Sequence, residues 1–138
     1  MDDHAIAALT DYYGSLLKGS EGKSILDLCG SWISHLPMSL PEGTKVVGIG
    51  MNEEELKANK AYTEWKVYDL NQGENQEWKW LKEQSLDIVI CTVSIDYLIH
   101  PLTVLKESHR LLKPGTNPHQ FSLPPRHCRS YWVLLGHG

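Results

Sequence analysis

The chain has 138 residues, of which 41% are hydrophobic and 22% charged, and 13 Lys+Arg against 17 Asp+Glu leave a net charge of −4. That is the balance of one ordinary globular domain, long enough to bury a real core, and it excludes a collagen-like chain, a charge-rich disordered chain and a disulfide miniprotein. The acidic balance argues against a groove for nucleic acid, and no run approaches the ~20 apolar residues of a membrane span. Met1-Asp2-Asp3-His4 lacks the basic and apolar regions of a signal peptide. Cys29, Cys91 and Cys128 have no CxxC spacing, which argues against a zinc finger or a disulfide framework. These features predict a soluble, intracellular and cytoplasmic chain with no metal site.

In chain order, residues 5–18 place Ile6, Leu9, Tyr13, Leu16 and Leu17 at helical spacing. Ser24–Cys29 is a short apolar run that reads as a buried strand, and a short helix is expected over Ser31–Leu36 before Pro37 and Pro41 stop it. Lys45–Met51 reads as a second buried strand. A helix then starts with Asn52 as N-cap, Glu55 at the capping-box position and acids against the positive end of the helix dipole. Glu64–Leu70 alternates as a third strand, 71–76 is a polar loop, and Trp78–Gln84 is expected to form a short helix. Leu86–Val93 is the most apolar strand, and Pro101–Lys113 is a helix with proline in its first turn. Alternating strands and helices imply parallel pairing through right-handed crossovers. The expected fold is therefore α/β, a Rossmann-like three-layer αβα sandwich. In such sheets ligands bind beyond the carboxyl ends of the strands.

The segment Ile25-Leu-Asp-Leu-Cys-Gly-Ser-Trp32 resembles the first motif of class I S-adenosylmethionine-dependent methyltransferases. Further segments are similar in register: Val46–Asn52 to the second strand, Tyr68-Asp-Leu-Asn71 to the third-strand end, and Ser85–Ile90 with Val104–Gly115 to the fourth strand and following helix of the type 11 group. The resemblance covers about residues 23–115. It implies S-adenosylmethionine as cofactor, a small-molecule acceptor, and methyl transfer driven mainly by positioning. It also implies a cofactor site formed by Asp27, Cys29, Gly30, Gly50, Met51, Asn52, Asp69, Leu70 and Val93.

Gly50 stands where such proteins commonly place a ribose carboxylate, and only Gly30 remains of the usual glycine series. Asp69 matches the acid after the third strand. Asp27 reads equally as a ligand contact or as an acceptor for turn amides, and Asp69 equally as an adenine contact or a loop cap. Cys29 and Cys91 read first as small buried hydrophobes, and Trp32 as a packed aromatic. Asp96, Tyr97 and His100 follow the fourth strand and are the candidates on the acceptor side, although His100 suits the N-cap before Pro101 better than a base. Glu53, Glu54 and Glu55 read as a solvated first turn.

After Glu107 there is no acidic residue, and four of the seven prolines lie at or beyond Pro114. The expected division is an N-terminal helix over 1–22, a cofactor-binding half-domain over 23–116 and a divergent tail over 117–138. Such a chain holds strands one to four of a seven-stranded methyltransferase sheet. Tyr131–Leu135, the one stretch of the tail able to pair as a strand, is expected either to cover the fourth-strand edge or to stay disordered; left bare, that edge would invite self-association. The competing reading is a catalytically inactive, shortened form acting as a binding module. A nicotinamide enzyme is disfavoured because no GxGxxG is present.

Overall fold

The computed structural model describes residues 3–19, 21–73, 76–92, 97–114 and 132–135. The elements are α1 (Asp3–Leu16), β1 (Ser24–Leu28), β2 (Lys45–Gly50), α2 (Glu53–Ala58), β3 (Glu64–Val67), β4 (Ile88–Cys91), α3 (Pro101–Leu111) and β5 (Trp132–Leu135). One sheet holds all five strands in the order β3-β2-β1-β4-β5. The first four pair in parallel. β5 runs antiparallel to β4, with Val89 opposite Leu134 and Cys91 opposite Trp132. The sheet therefore has one strand more than the four expected from the methyltransferase-like segment, and β5 occupies the β4 edge.

The alternation along β1 explains the layers. Ile25 points to one face with Val46, Ile88, Ile90, α1 (Leu9, Tyr13) and α2 (Leu56). Leu26 and Leu28 point to the other, with Ile49, Val89, Trp78 and α3 (Val104, Leu111). Both faces of the central strands are thus covered, which their near-continuous apolar sequences require. β3 is exposed along its length, and Glu64 and Lys66 suit it to the open edge.

Two buried acids tie the elements together. Asp87, just before β4, accepts from the Ser24 amide at 2.9 Å and from Lys113 Nζ at 3.0 Å. The Lys113 amide in turn donates to Leu86 O at 2.8 Å. Asp87 and Lys113, far apart in sequence, form one clasp between the start of β1, the approach to β4 and the exit from α3. Glu107 on α3 is 6% exposed and accepts from the Trp78 amide at 2.6 Å while pairing with Arg110.

Two expected helices are absent. Ser31–Leu36 is irregular, with the Ser31 carbonyl accepting from Asn59 Nδ2 at 2.9 Å. Pro37 and Pro41 leave too short a run for a helix nucleus. Residues 78–84 form turns and bends, with the Trp78 amide held by Glu107 and its ring fully buried in the cluster that includes Val104 and Leu111 of α3. The strands expected at 64–70 and 86–93 are shorter, Glu64–Val67 and Ile88–Cys91.

Candidate functional site

The site begins with the turn after β1. Cys29 has φ +58°, a left-handed conformation unusual for a residue with a side chain. This bend lets the Gly30 amide donate to Ile49 O at 2.6 Å. The Gly30 carbonyl then lies so close to Gly50 that any Cβ there would collide with it. The β1 turn therefore rests directly on the end of β2. Gly50 is required by that close approach, which accounts physically for the absence of a carboxylate at this position.

Asn52 caps α2, its Oδ1 accepting from the Glu55 amide at 3.3 Å. Beyond β3, the Tyr68 amide donates to Gly50 O at 2.9 Å, and Asp69 Oδ1 accepts from the Asn71 amide at 2.9 Å in an Asx turn. Asn71 then bridges to the segment after β4, donating to Tyr97 O at 3.0 Å and accepting from the Ile99 amide at 2.9 Å. The four strand ends thereby enclose a cleft of about 250 Å³.

Cys29, Gly30, Gly50, Met51, Asn52, Asp69 and Leu70 all line this cleft, joined by Tyr97 from the acceptor-side candidates. Glu55, Tyr68, Asn71 and Leu98 line it as well and were not among the residues expected from sequence. Glu55 lies in the α2 first turn beside Glu53 and Glu54; only the placement of α2 distinguishes it from them. Val93 and Asp96 lie outside the described residues. His100 is the N-cap of α3, and its side chain makes no capping hydrogen bond.

Asp27 does not line the cleft. It is 4% exposed and accepts from the Tyr62 hydroxyl at 2.9 Å. Asp27 is opposite Gly48 in register, and the Tyr62 ring lies where a Gly48 Cβ would be. Gly48 thus makes room for the tyrosine that satisfies its strand neighbour. The same hydroxyl packs against Gly30, so the Asp27–Tyr62 pair buttresses the turn from beneath. Burial pushes the Asp27 pKa up from 3.8 to about 7, against the lowering effect of the Tyr62 hydrogen bond. Burial, helped by Asp27, raises the Tyr62 pKa.

A second groove of about 590 Å³ lies between the 32–40 segment and the end of α2. It is larger, but among the described residues that line it Lys60 is the one with a charge. The cleft at the strand ends, with two carboxylates and two amides converging on apolar walls, has the character of a ligand site. Among the described residues no group of three or more His, Cys, Asp or Glu side chains is placed to hold a metal ion. Nor, among those residues, is any helix long and apolar enough to cross a membrane.

Comparison with known proteins agrees with this geometry. A family model described as a methyltransferase domain, type 11, matches residues 26–117. A ubiquinone biosynthesis O-methyltransferase of Vibrio vulnificus is 30% identical over 129 residues, covering 91% of this chain and 54% of that protein. A thiol S-methyltransferase of Mus musculus is 31% identical over 107 residues, covering 72% of this chain and 42% of that protein. The chain thus spans about half the length of these curated relatives. Among solved structures, a SAM-dependent methyltransferase from Aquifex aeolicus shares the fold with a TM-score of 0.57 at 19% identity, covering 96% of this chain and 92% of that one. One from Mesorhizobium loti does so with a TM-score of 0.55 at 16% identity, covering 88% and 62%. With the family model matching two thirds of its length, around the cleft and the sheet that carries it, the chain belongs to the type 11 methyltransferase domain family.

Proposed function

We propose that the cleft binds S-adenosylmethionine and that the chain provides the cofactor-binding part of a methyl transfer to a small-molecule acceptor. The observation that carries this reading is the convergence of Gly30, Asn52, Glu55, Asp69 and Tyr97 on one cleft at the carboxyl ends of the parallel strands. The lining fits an adenosyl group: Met51, Tyr68, Leu70 and Leu98 offer apolar surface, while Glu55, Asp69 and Asn52 offer acceptors for hydroxyls and an amine. In the absence of an acid at Gly50, Glu55 is the carboxylate on the β2–α2 side that would serve the ribose. Asp69 and Leu70 would hold the base, and Cys29 and Gly30 the amino-acid end.

When bound, the cofactor supplies an electrophilic methyl on a sulfonium sulfur. The chain's own contribution is positional. The Gly30–Ile49 and Asn71–Ile99 hydrogen bonds fix the walls of the cleft, and Tyr97, 76% exposed, stands at the mouth, where an acceptor would approach.

Titration calorimetry with S-adenosylhomocysteine tests the reading. Heat of binding is expected for the wild-type chain, weakened at least tenfold by Glu55→Ala. No heat at millimolar ligand would overturn it. Because Gly50 leaves no room for a carboxylate, the second reading is a module that binds the cofactor or a partner weakly, without transfer. Binding with no methyl transfer to any acceptor would support that one.

A further inference from the structure

We propose that Cys29 and Cys91 form a reversible disulfide at the floor of the cleft, a modification site for thiol oxidants of the peroxide class. The pairing register brings the two residues together. Cys91 is opposite Leu28, the residue before Cys29, on the adjacent parallel strand. A strand spacing of about 4.8 Å and a rise of about 3.3 Å per residue put the two Cα atoms roughly 6 Å apart, inside the span that a disulfide bridges. The left-handed backbone at Cys29 breaks the strand alternation, so that its side chain packs against the cluster containing Cys91 instead of turning to the opposite face. Both cysteines are free, and they lie close enough for the Cys91 thiol to act on the Cys29 thiol.

Their surroundings divide the labour. Cys29 is half-buried and lines the cleft, whereas Cys91 is fully buried behind it. The hydrogen bond from Cys91 lowers the Cys29 thiol pKa, against the raising effects of burial and of Asp27. A more acidic and accessible thiol is the one that reacts first. Its thiolate attacks a peroxide oxygen: the S–O bond forms, the O–O bond breaks and the leaving oxygen departs as water after protonation. Cys91 sulfur then displaces the sulfenic oxygen, forming S–S as S–O breaks and releasing a second water. Two thiols lose two electrons and two protons to one peroxide, and a dithiol reverses the change by exchange.

Peptide mapping of the chain after treatment with stoichiometric hydrogen peroxide tests this. To remove the third thiol, the Cys128→Ser variant is treated in parallel. In both proteins the intact mass should fall by that of two hydrogens. One dithiothreitol-sensitive species should link the peptide holding Cys29 to the one holding Cys91. In Cys91→Ser, dimedone should trap a sulfenic acid at Cys29 at least several-fold more than in Cys128→Ser. A wild-type map in which Cys29 links to Cys128 or proceeds to sulfinic acid would overturn the proposal. So would equal dimedone labelling with and without Cys91.

Discussion

At the scale of single residues, Asp27 is the least expected. An acid inside an apolar strand reads in sequence equally as a ligand contact or as an acceptor for turn amides; it lies under the β1 turn, held by the Tyr62 side chain. Its pKa of about 7, against an ordinary 3.8, makes a pH prediction. The folded chain holds a proton on Asp27 through a window in which the unfolded chain has released it. Folding is therefore favoured below the window, and stability falls as pH rises from about 4 to about 7. Asp27→Asn keeps an oxygen acceptor for Tyr62 without the charge. Its stability relative to wild type should rise by on the order of 3 kcal/mol across that window, read by urea denaturation at successive pH values. Parallel curves for the two proteins would show that the carboxyl ionises freely. Gly48 and Gly50 belong to the same scale, since each is small because a particular group, the Tyr62 ring or the Gly30 carbonyl, occupies the space beside it.

At the scale of elements, α3 does more than cover the sheet. Its Glu107 carboxylate satisfies the Trp78 amide in a segment that forms turns instead of a helix. Burial alone would raise its pKa; hydrogen bonds from Arg110 and the Trp78 amide outweigh this and hold it below the usual range. The associated stability is present above the ordinary glutamate pKa and is lost as pH falls through the depressed value. Glu107→Ala leaves a buried amide unpaired and Arg110 without its nearest partner. It should cost about 3 kcal/mol in urea denaturation at neutral pH, with Glu107→Gln intermediate because its oxygen can still accept from Trp78. A loss under about 0.5 kcal/mol for Glu107→Ala would mean that water replaces the carboxylate. The α1 helix is anchored in the same way at the opposite face, where the Tyr13 hydroxyl meets Thr92 Oγ1 at 2.6 Å, just past β4.

At the scale of the whole molecule, the question is how a parallel sheet ends. β4 is the most apolar strand and pairs on both sides, with β1 and with β5. The Trp132–Leu135 backbone supplies an antiparallel edge to a sheet otherwise parallel. Deleting residues 117–138 should leave β4 with an open hydrogen-bonding edge. The shortened chain should then self-associate at micromolar concentration in size-exclusion chromatography, while the amides of Trp132–Leu135 in the full chain should be protected from hydrogen exchange. A monomeric deletion variant together with unprotected 132–135 amides would exclude β5 as the cover for that edge.

Much of this architecture was legible in the sequence because it depends on local pattern. Apolar runs of six to eight residues mark β1, β2 and β4; proline and an apolar stripe mark α3; and Asn52 with the following acids marks the start of α2. Seven of the nine cofactor-site candidates line one cleft for the same reason, since strand ends in a parallel sheet converge by topology. The features of the site that were missed depend on separation in the chain. Tyr62 reaches Asp27 across 35 positions, and Asn59 holds Ser31 across 28. Only α2's orientation selects Glu55 from three adjacent acids. Periodicity and capping determine which residues become strand or helix. Which acid is spent on support and which lines the cleft is decided when strands come into register, because only then do hydrogen-bond partners and steric neighbours exist.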